Sequence, residues 1–261
     1  IAGLYPILYF FGSYIILVML SFLVWSKFFG VYYTSFLTFL AMVLFTPLIL
    51  NFGKKIAVFW LSNIYAFCAK YAINDIKEMA NLNQIFANEI FKKLKEQKDE
   101  DSELILLSHS VGTILSISVA ANVIRMAKKE KISLKRFKIL SLGECIPLVS
   151  FQKKCQSFKK DLKLVANTPL VWLDITSPID GACFPLMDFV KCSNIQAEFS
   201  PTYRSARFHK LFTPNTYRKI CKNKYLAHFL YLYANEIPGE YDFFNYIGAK
   251  GMLETKFKGV S

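Results

Sequence analysis

Leu104-Ile105-Leu106-Leu107-Ser108-His109-Ser110-Val111-Gly112 is the stretch whose reading decides the fold. Four consecutive apolar residues make a run of strand length, and from Gly112 to about Lys128 Ile, Leu, Val and Ala recur in a helical pattern. A strand therefore gives way to a helix within a few residues, and Ser110 stands where the chain must reverse. A turn this tight favours small residues two positions before and two after its centre; Gly112 meets that need and Ser108 nearly does. The turn lifts the Ser110 hydroxyl above the C-terminal edge of the sheet. The N-terminus of the following helix, with the backbone N–H of Val111, then offers a positive field to a developing oxyanion.

Two further apolar runs lie downstream, Phe137–Leu142 and Leu170–Ile175, separated by helix or loop. Strands alternating with helices predict an α/β fold with a doubly wound, mostly parallel sheet and helices on both faces. Upstream, Ile64, Phe67, Tyr71, Ile76, Met79, Ile85, Phe86, Ile90, Phe91 and Leu94 recur at helical spacing. Residues 54–102 thus read as an amphipathic helical segment leading to the sheet domain, 103–261. Within it, Ile56–Leu61 reads either as a strand or as the exit of the preceding helix, and Lys95–Ser102 as a charged loop.

The front of the chain has a different solvent. Hydrophobic residues make up 54 % of the chain and the mean hydropathy is +0.31, high for a protein bathed only in water. From Ile1 to Gly53 the only charged residue is Lys27, and each uncharged run beside it exceeds the roughly 20 residues a helix needs to cross a bilayer. Residues 1–53 read as a transmembrane helical hairpin, with Lys27 and Gly30 at its turn and Trp25, Tyr32 and Tyr33 at headgroup level. A pair of buried core helices is the alternative, but such helices seldom run this long without a polar face. A cleaved signal peptide fits worse, because there are two apolar runs and no basic leader.

Lys54-Lys55 after the second run assigns the following domain to the cytoplasmic side, since basic flanks stay there. The net charge is +13 and the first 53 residues contribute only Lys27, so the remainder carries +12. The lysines are scattered or paired, as in Lys92-Lys93 and Lys159-Lys160, and no nucleic-acid module is recognisable. The expected partner is therefore an anionic lipid bilayer rather than nucleic acid. The six cysteines form no CxxC pair and have no histidine spacing suited to zinc, so they read as reduced thiols, with no metal or cofactor implied.

The Ser-x-Ser-x-Gly elbow between strand and helix resembles that of the α/β-hydrolase superfamily of serine hydrolases, over roughly Asp101 to Ala234. The resemblance implies an acid and a histidine after the serine, in that order. Asp180, in the Ser177-Pro178-Ile179-Asp180-Gly181 turn just past a strand end, is the favoured acid; Asp174, still inside the strand, is the alternative. Of three histidines, His228 follows a polar loop and opens a helical run, matching the superfamily's base. His109 adjoins the nucleophile and suits packing or hydrogen bonding, while His209 sits in a basic aromatic stretch within 184–221, a segment long enough for a lid.

On that resemblance the chain is expected to be a membrane-bound serine ester hydrolase acting on a hydrophobic acyl ester through Ser110, His228 and Asp180. A thioesterase, amidase or acyl transferase would use the same triad. The other class of reading is a degenerate scaffold serving as a membrane-tethered interaction module. Such folds bring a second oxyanion donor from a glycine-containing loop after an early strand, whereas the glycines upstream of the elbow, Gly3, Gly12, Gly30 and Gly53, all belong to the hairpin. The early strands and that loop are expected upstream of Ile1.

Overall fold

The computed structural model describes residues 4–96 and 102–256, so most of the charged loop expected between Lys95 and Ser102 lies outside the described residues. The chain divides into two compact units, Ile1–Phe67 and Cys68–Ser261. The division falls inside a helix, not at Gly53 where the apolar runs end.

In the first unit α1 (Tyr5–Trp25) and α2 (Val31–Lys55) pair antiparallel. At 1.5 Å per residue they are about 31 and 37 Å long, enough for a hydrocarbon core of about 30 Å. Their apolar side chains face outward, Phe11 at 67 % and Tyr32 at 91 % exposure, so within the protein they have little to pack against. Both helices are long and apolar enough to cross a membrane. Their seam carries the polar contacts: the Tyr14 hydroxyl lies 3.0 Å from Thr46 Oγ1, and Tyr9 Oη donates to the Ile49 carbonyl. Gly53 lets the helices approach, since a Cβ there would stand 2.9 Å from the Tyr9 ring. Ile56–Leu61 forms no strand. Ala57, at φ +63°, breaks the helix, and α3 (Val58–Ala72) begins at once.

In the second unit α4 (Lys77–Glu96) leads to β1 (Leu104–His109), α5 (Gly112–Glu130) and β2 (Phe137–Leu142). Then come α6 (Pro147–Ser150), α7 (Gln156–Ala166), β3 (Val171–Thr176), α8 (Phe189–Cys192) and β4 (Thr202–Ser205). The four strands are all parallel, in the order β1-β2-β3-β4. They follow one another without a reversal, so among the described residues the second winding expected from the sequence is not realised. One face carries the crossover helices, with Trp172 of β3 against Phe189 of α8, ring centroids 5.5 Å apart.

The chain after β4 covers the other face: α9 (Pro214–Lys222), α10 (Lys224–Phe229), α11 (Phe243–Gly248) and α12 (Leu253–Lys256), with 3-10 turns at Phe208–Lys210 and Leu230–Leu232. There Leu140, Leu142, Leu173 and Ile175 pack against Phe208, Leu211, Tyr231, Tyr241 and Leu253. The segment 184–221, expected to form a lid, supplies β4 and buries Phe189, Phe208, Leu211 and Phe212 in the core.

Candidate active site

β1 ends at His109, and Ser110 follows with φ +57°, a left-handed conformation uncommon for any residue but glycine, asparagine or aspartate. The strain is held from both sides. Ser110 N–H donates to the Leu142 carbonyl, extending the β1–β2 ladder by one bond, and the Ser110 carbonyl accepts from Thr113 N–H and, at 2.6 Å, from Thr113 Oγ1. Crowding does not explain Gly112, for a Cβ there would make only an ordinary 3.9 Å contact with Ser108 Cβ. The backbone N–H of Val111 makes no backbone hydrogen bond among the described residues, which leaves it at the start of α5 for a ligand oxygen.

Three side chains named in advance come together here. His228, fully buried on α10, places Nε2 2.7 Å from Ser110 Oγ, and its Nδ1 lies 2.9 Å from both carboxylate oxygens of Asp180. A carboxylate only accepts, so Nδ1 carries the proton; Nε2 is then the acceptor and Ser110 Oγ–H the donor. Asp180 also accepts from Ala182 N–H at 2.9 Å and from Tyr231 Oη–H at 3.2 Å. Burial alone would push its carboxyl up. The hydrogen bond and charge of His228, with the Ala182 N–H, outweigh that and hold it below the usual carboxylate range.

Asp174 and His209 lie elsewhere. Asp174 is buried inside β3 and accepts from Ser141 Oγ at 2.6 Å; His209 sits in the 3-10 turn after β4, its ring 6.3 Å from that of Tyr217. His109 diverges from Ser110: its Nε2–H donates to the His228 carbonyl at 2.8 Å, fixing α10 to the end of β1. Burial and the neighbouring His228 push its pKa down to about 4, so the ring is neutral at neutral pH.

The structure adds residues that the sequence did not single out. Gly143 leaves β2 at φ +53°, and a Cβ there would meet the Tyr231 ring at 2.8 Å and Asp180 Oδ2 at 3.1 Å. The buried Cys145 thiol lies 3.9 Å from Ser110 Oγ and 3.4 Å from the Ala182 carbonyl. Two aromatic pairs adjoin these turns, Tyr225 on Phe229 and Phe151 on Phe184, with Tyr225 51 % and Phe151 46 % exposed. A glycine directly after a strand and a tyrosine three residues past His228 were the available signals. A separate cavity of about 510 Å3 between α4, α5 and α7, lined by Tyr71, Asn83, Ser118, Arg125 and Asp161 among others, contains none of Ser110, Asp180 or His228.

Neither a family model, nor a curated protein, nor a solved structure matches this chain. The reading of the site therefore rests on its own geometry.

Proposed function

We propose that this chain is a membrane-bound serine hydrolase of α/β-hydrolase type that cleaves an acyl ester through Ser110, His228 and Asp180. The observation that carries the reading is the relay of 2.7 Å from Ser110 Oγ to His228 Nε2 and 2.9 Å from His228 Nδ1 to Asp180, at a strand-to-helix turn where Ser110 takes a left-handed backbone. In the reaction Ser110 Oγ attacks the acyl carbon while its proton passes to His228 Nε2. Asp180 stabilises the imidazolium, and the Val111 N–H faces the oxyanion. Collapse expels the alkoxide, which takes the proton from His228, and leaves an acyl-serine; water activated by His228 then releases the acid. Phe229, its ring 5.3 Å from that of His228 and packed against exposed Tyr225, favours a hydrophobic acyl group. The apolar hairpin favours a substrate drawn from the bilayer, and Lys54-Lys55 favour a cytoplasmic position for the domain behind them.

A fluorophosphonate probe on the full-length protein tests this. Ser110→Ala abolishes labelling without unfolding the chain. His228→Ala slows it by about a hundredfold to ten-thousandfold, because an unassisted hydroxyl is a poor nucleophile, whereas His209→Ala leaves it unchanged. Absent labelling of the folded protein, or labelling that survives Ser110→Ala, gives way to the tethered scaffold.

A further inference from the structure

His228 lies on α10, and Tyr231, three residues on, lies in the 3-10 turn Leu230–Leu232 that continues it. Residues at that spacing share a helical face, and these two meet one carboxylate. His228 Nδ1–H lies 2.9 Å from both oxygens of Asp180. Ala182 N–H donates to Oδ1 at 2.9 Å, and Tyr231 Oη–H donates to Oδ2 at 3.2 Å. Each oxygen thus has a donor besides the histidine, and the plane of the carboxylate is fixed from two sides. The reaction proposed above gives a part to the histidine contact and none to that of Tyr231.

We propose that Tyr231 is a positioning residue of the relay: its hydroxyl holds Asp180 Oδ2, so that the carboxylate faces His228 Nδ1 and His228 Nε2 stays on Ser110 Oγ. This role rests on the serine hydrolase reading given above. The Tyr231 ring is enclosed in a way that leaves its hydroxyl one place. It is 0 % exposed, and its centroid lies 5.0 Å from that of Phe208 and 5.7 Å from that of His109. It also closes over Gly143, where a Cβ would stand 2.8 Å from the ring. The Tyr231 carbonyl accepts from Tyr241 Oη–H, which ties the turn to the chain that follows. Burial pushes the phenol well up, so it keeps its proton and donates. With that proton on Asp180, the hydroxyl accepts from the buried Cys183 thiol 3.7 Å away.

The two donors besides His228 also spread the negative charge of Asp180. Without the phenol that charge draws the imidazole more strongly and favours its protonated form, which cannot take the Ser110 proton. The other ionisable groups facing Asp180 are His109 from the end of β1, Glu144 and Cys145 from the turn after β2, and Cys183 from its own turn. His109 is neutral at neutral pH, and burial pushes the Glu144 carboxyl and both thiols up. In Tyr231→Phe the ring still fills its place while Oδ2 loses its hydroxyl donor.

The test uses the full-length protein in detergent or nanodiscs. In Tyr231→Phe, fluorophosphonate labelling is expected to be about tenfold slower at its plateau, with the pH of half-maximal rate moved upward and the folded fraction unchanged. In an Asp180→Asn background the same substitution adds little, because the two side chains act through one contact. The proton on His228 Nδ1, read by its far-downfield NMR signal, shifts in Tyr231→Phe and disappears in His228→Ala. A lower melting temperature with plateau, midpoint and proton signal all unchanged overturns the proposal and leaves Tyr231 as packing. So does a full further loss of labelling in the Asp180→Asn background. The proton signal does not depend on labelling. A wild type that shows the signal and its shift yet takes no probe therefore supports the hold on Asp180 while refuting the hydrolase reading.

Discussion

At Gly143 the chain leaves β2 in a left-handed turn, with the Tyr231 ring and Asp180 Oδ2 closing over the place where a Cβ would stand. Gly143→Ala thus meets backbone strain of about 1 to 3 kcal/mol together with an overlap that only a shift of Tyr231 or Asp180 relieves. Its expected signature is a lower melting temperature and slower fluorophosphonate labelling, while an alanine at Gly112, where the nearest contact is 3.9 Å, changes both far less. Equal effects at the two glycines would show that the Gly143 contact does not hold Asp180. The three side chains of the relay were legible because serine, acid and histidine stand in a recognisable order at strand and helix boundaries. Gly143 and Cys145 were not, because their places beside Asp180 and Ser110 come from which turns meet in space, and nothing in Gly143-Glu144-Cys145 announces its neighbours.

Among elements, β1, β2 and β3 were legible as short apolar runs because both faces of the sheet are covered, which removes the polar half of the alternation. β4 was not. Thr202-Tyr203-Arg204-Ser205 is a half-buried edge strand of four residues, and its apolar signal is too thin to separate from the loop around it. The seam at Ile56–Leu61 was ambiguous for another reason: the left-handed Ala57 that separates α2 from α3 carries no sequence mark such as glycine or asparagine. His109 links two elements, holding the carbonyl of His228 on α10 from the end of β1, and this joint has a pH dependence. Its pKa is depressed from 6.5 to about 4 in the folded chain, so the unfolded chain binds the extra proton first. The stability it contributes is full above 6.5 and is lost as the pH falls toward about 4. With one proton taken up per unfolding event, the loss between pH 6.5 and 5 is about 2 kcal/mol. Melting curves over that interval check it: the slope shrinks in His109→Asn, and an unchanged slope would assign the acid sensitivity to other groups.

For the whole molecule the proposed membrane hairpin carries a consequence for the side on which the basic unit lies. The first 53 residues contribute Lys27 alone to a net charge of +13, and Lys54 and Lys55 close the last turn of α2. Lysines flanking a span resist translocation, so on the proposed reading this pair would keep its end of α2, and the chain that follows, on the cytoplasmic side. The cysteines make that testable. Cys68, Cys145, Cys155 and Cys183 are buried and silent to a thiol reagent; Cys192 is exposed and Cys221 half-buried. A membrane-impermeant maleimide added to intact cells leaves Cys192 and Cys221 unmodified, and both react once the membrane is opened. Cys192→Ser with Cys221→Ser removes the signal, which assigns it. Modification from outside before opening would put the Lys54-Lys55 end of α2 on the far side, and the proposed hydrolase would then act on the outer leaflet instead.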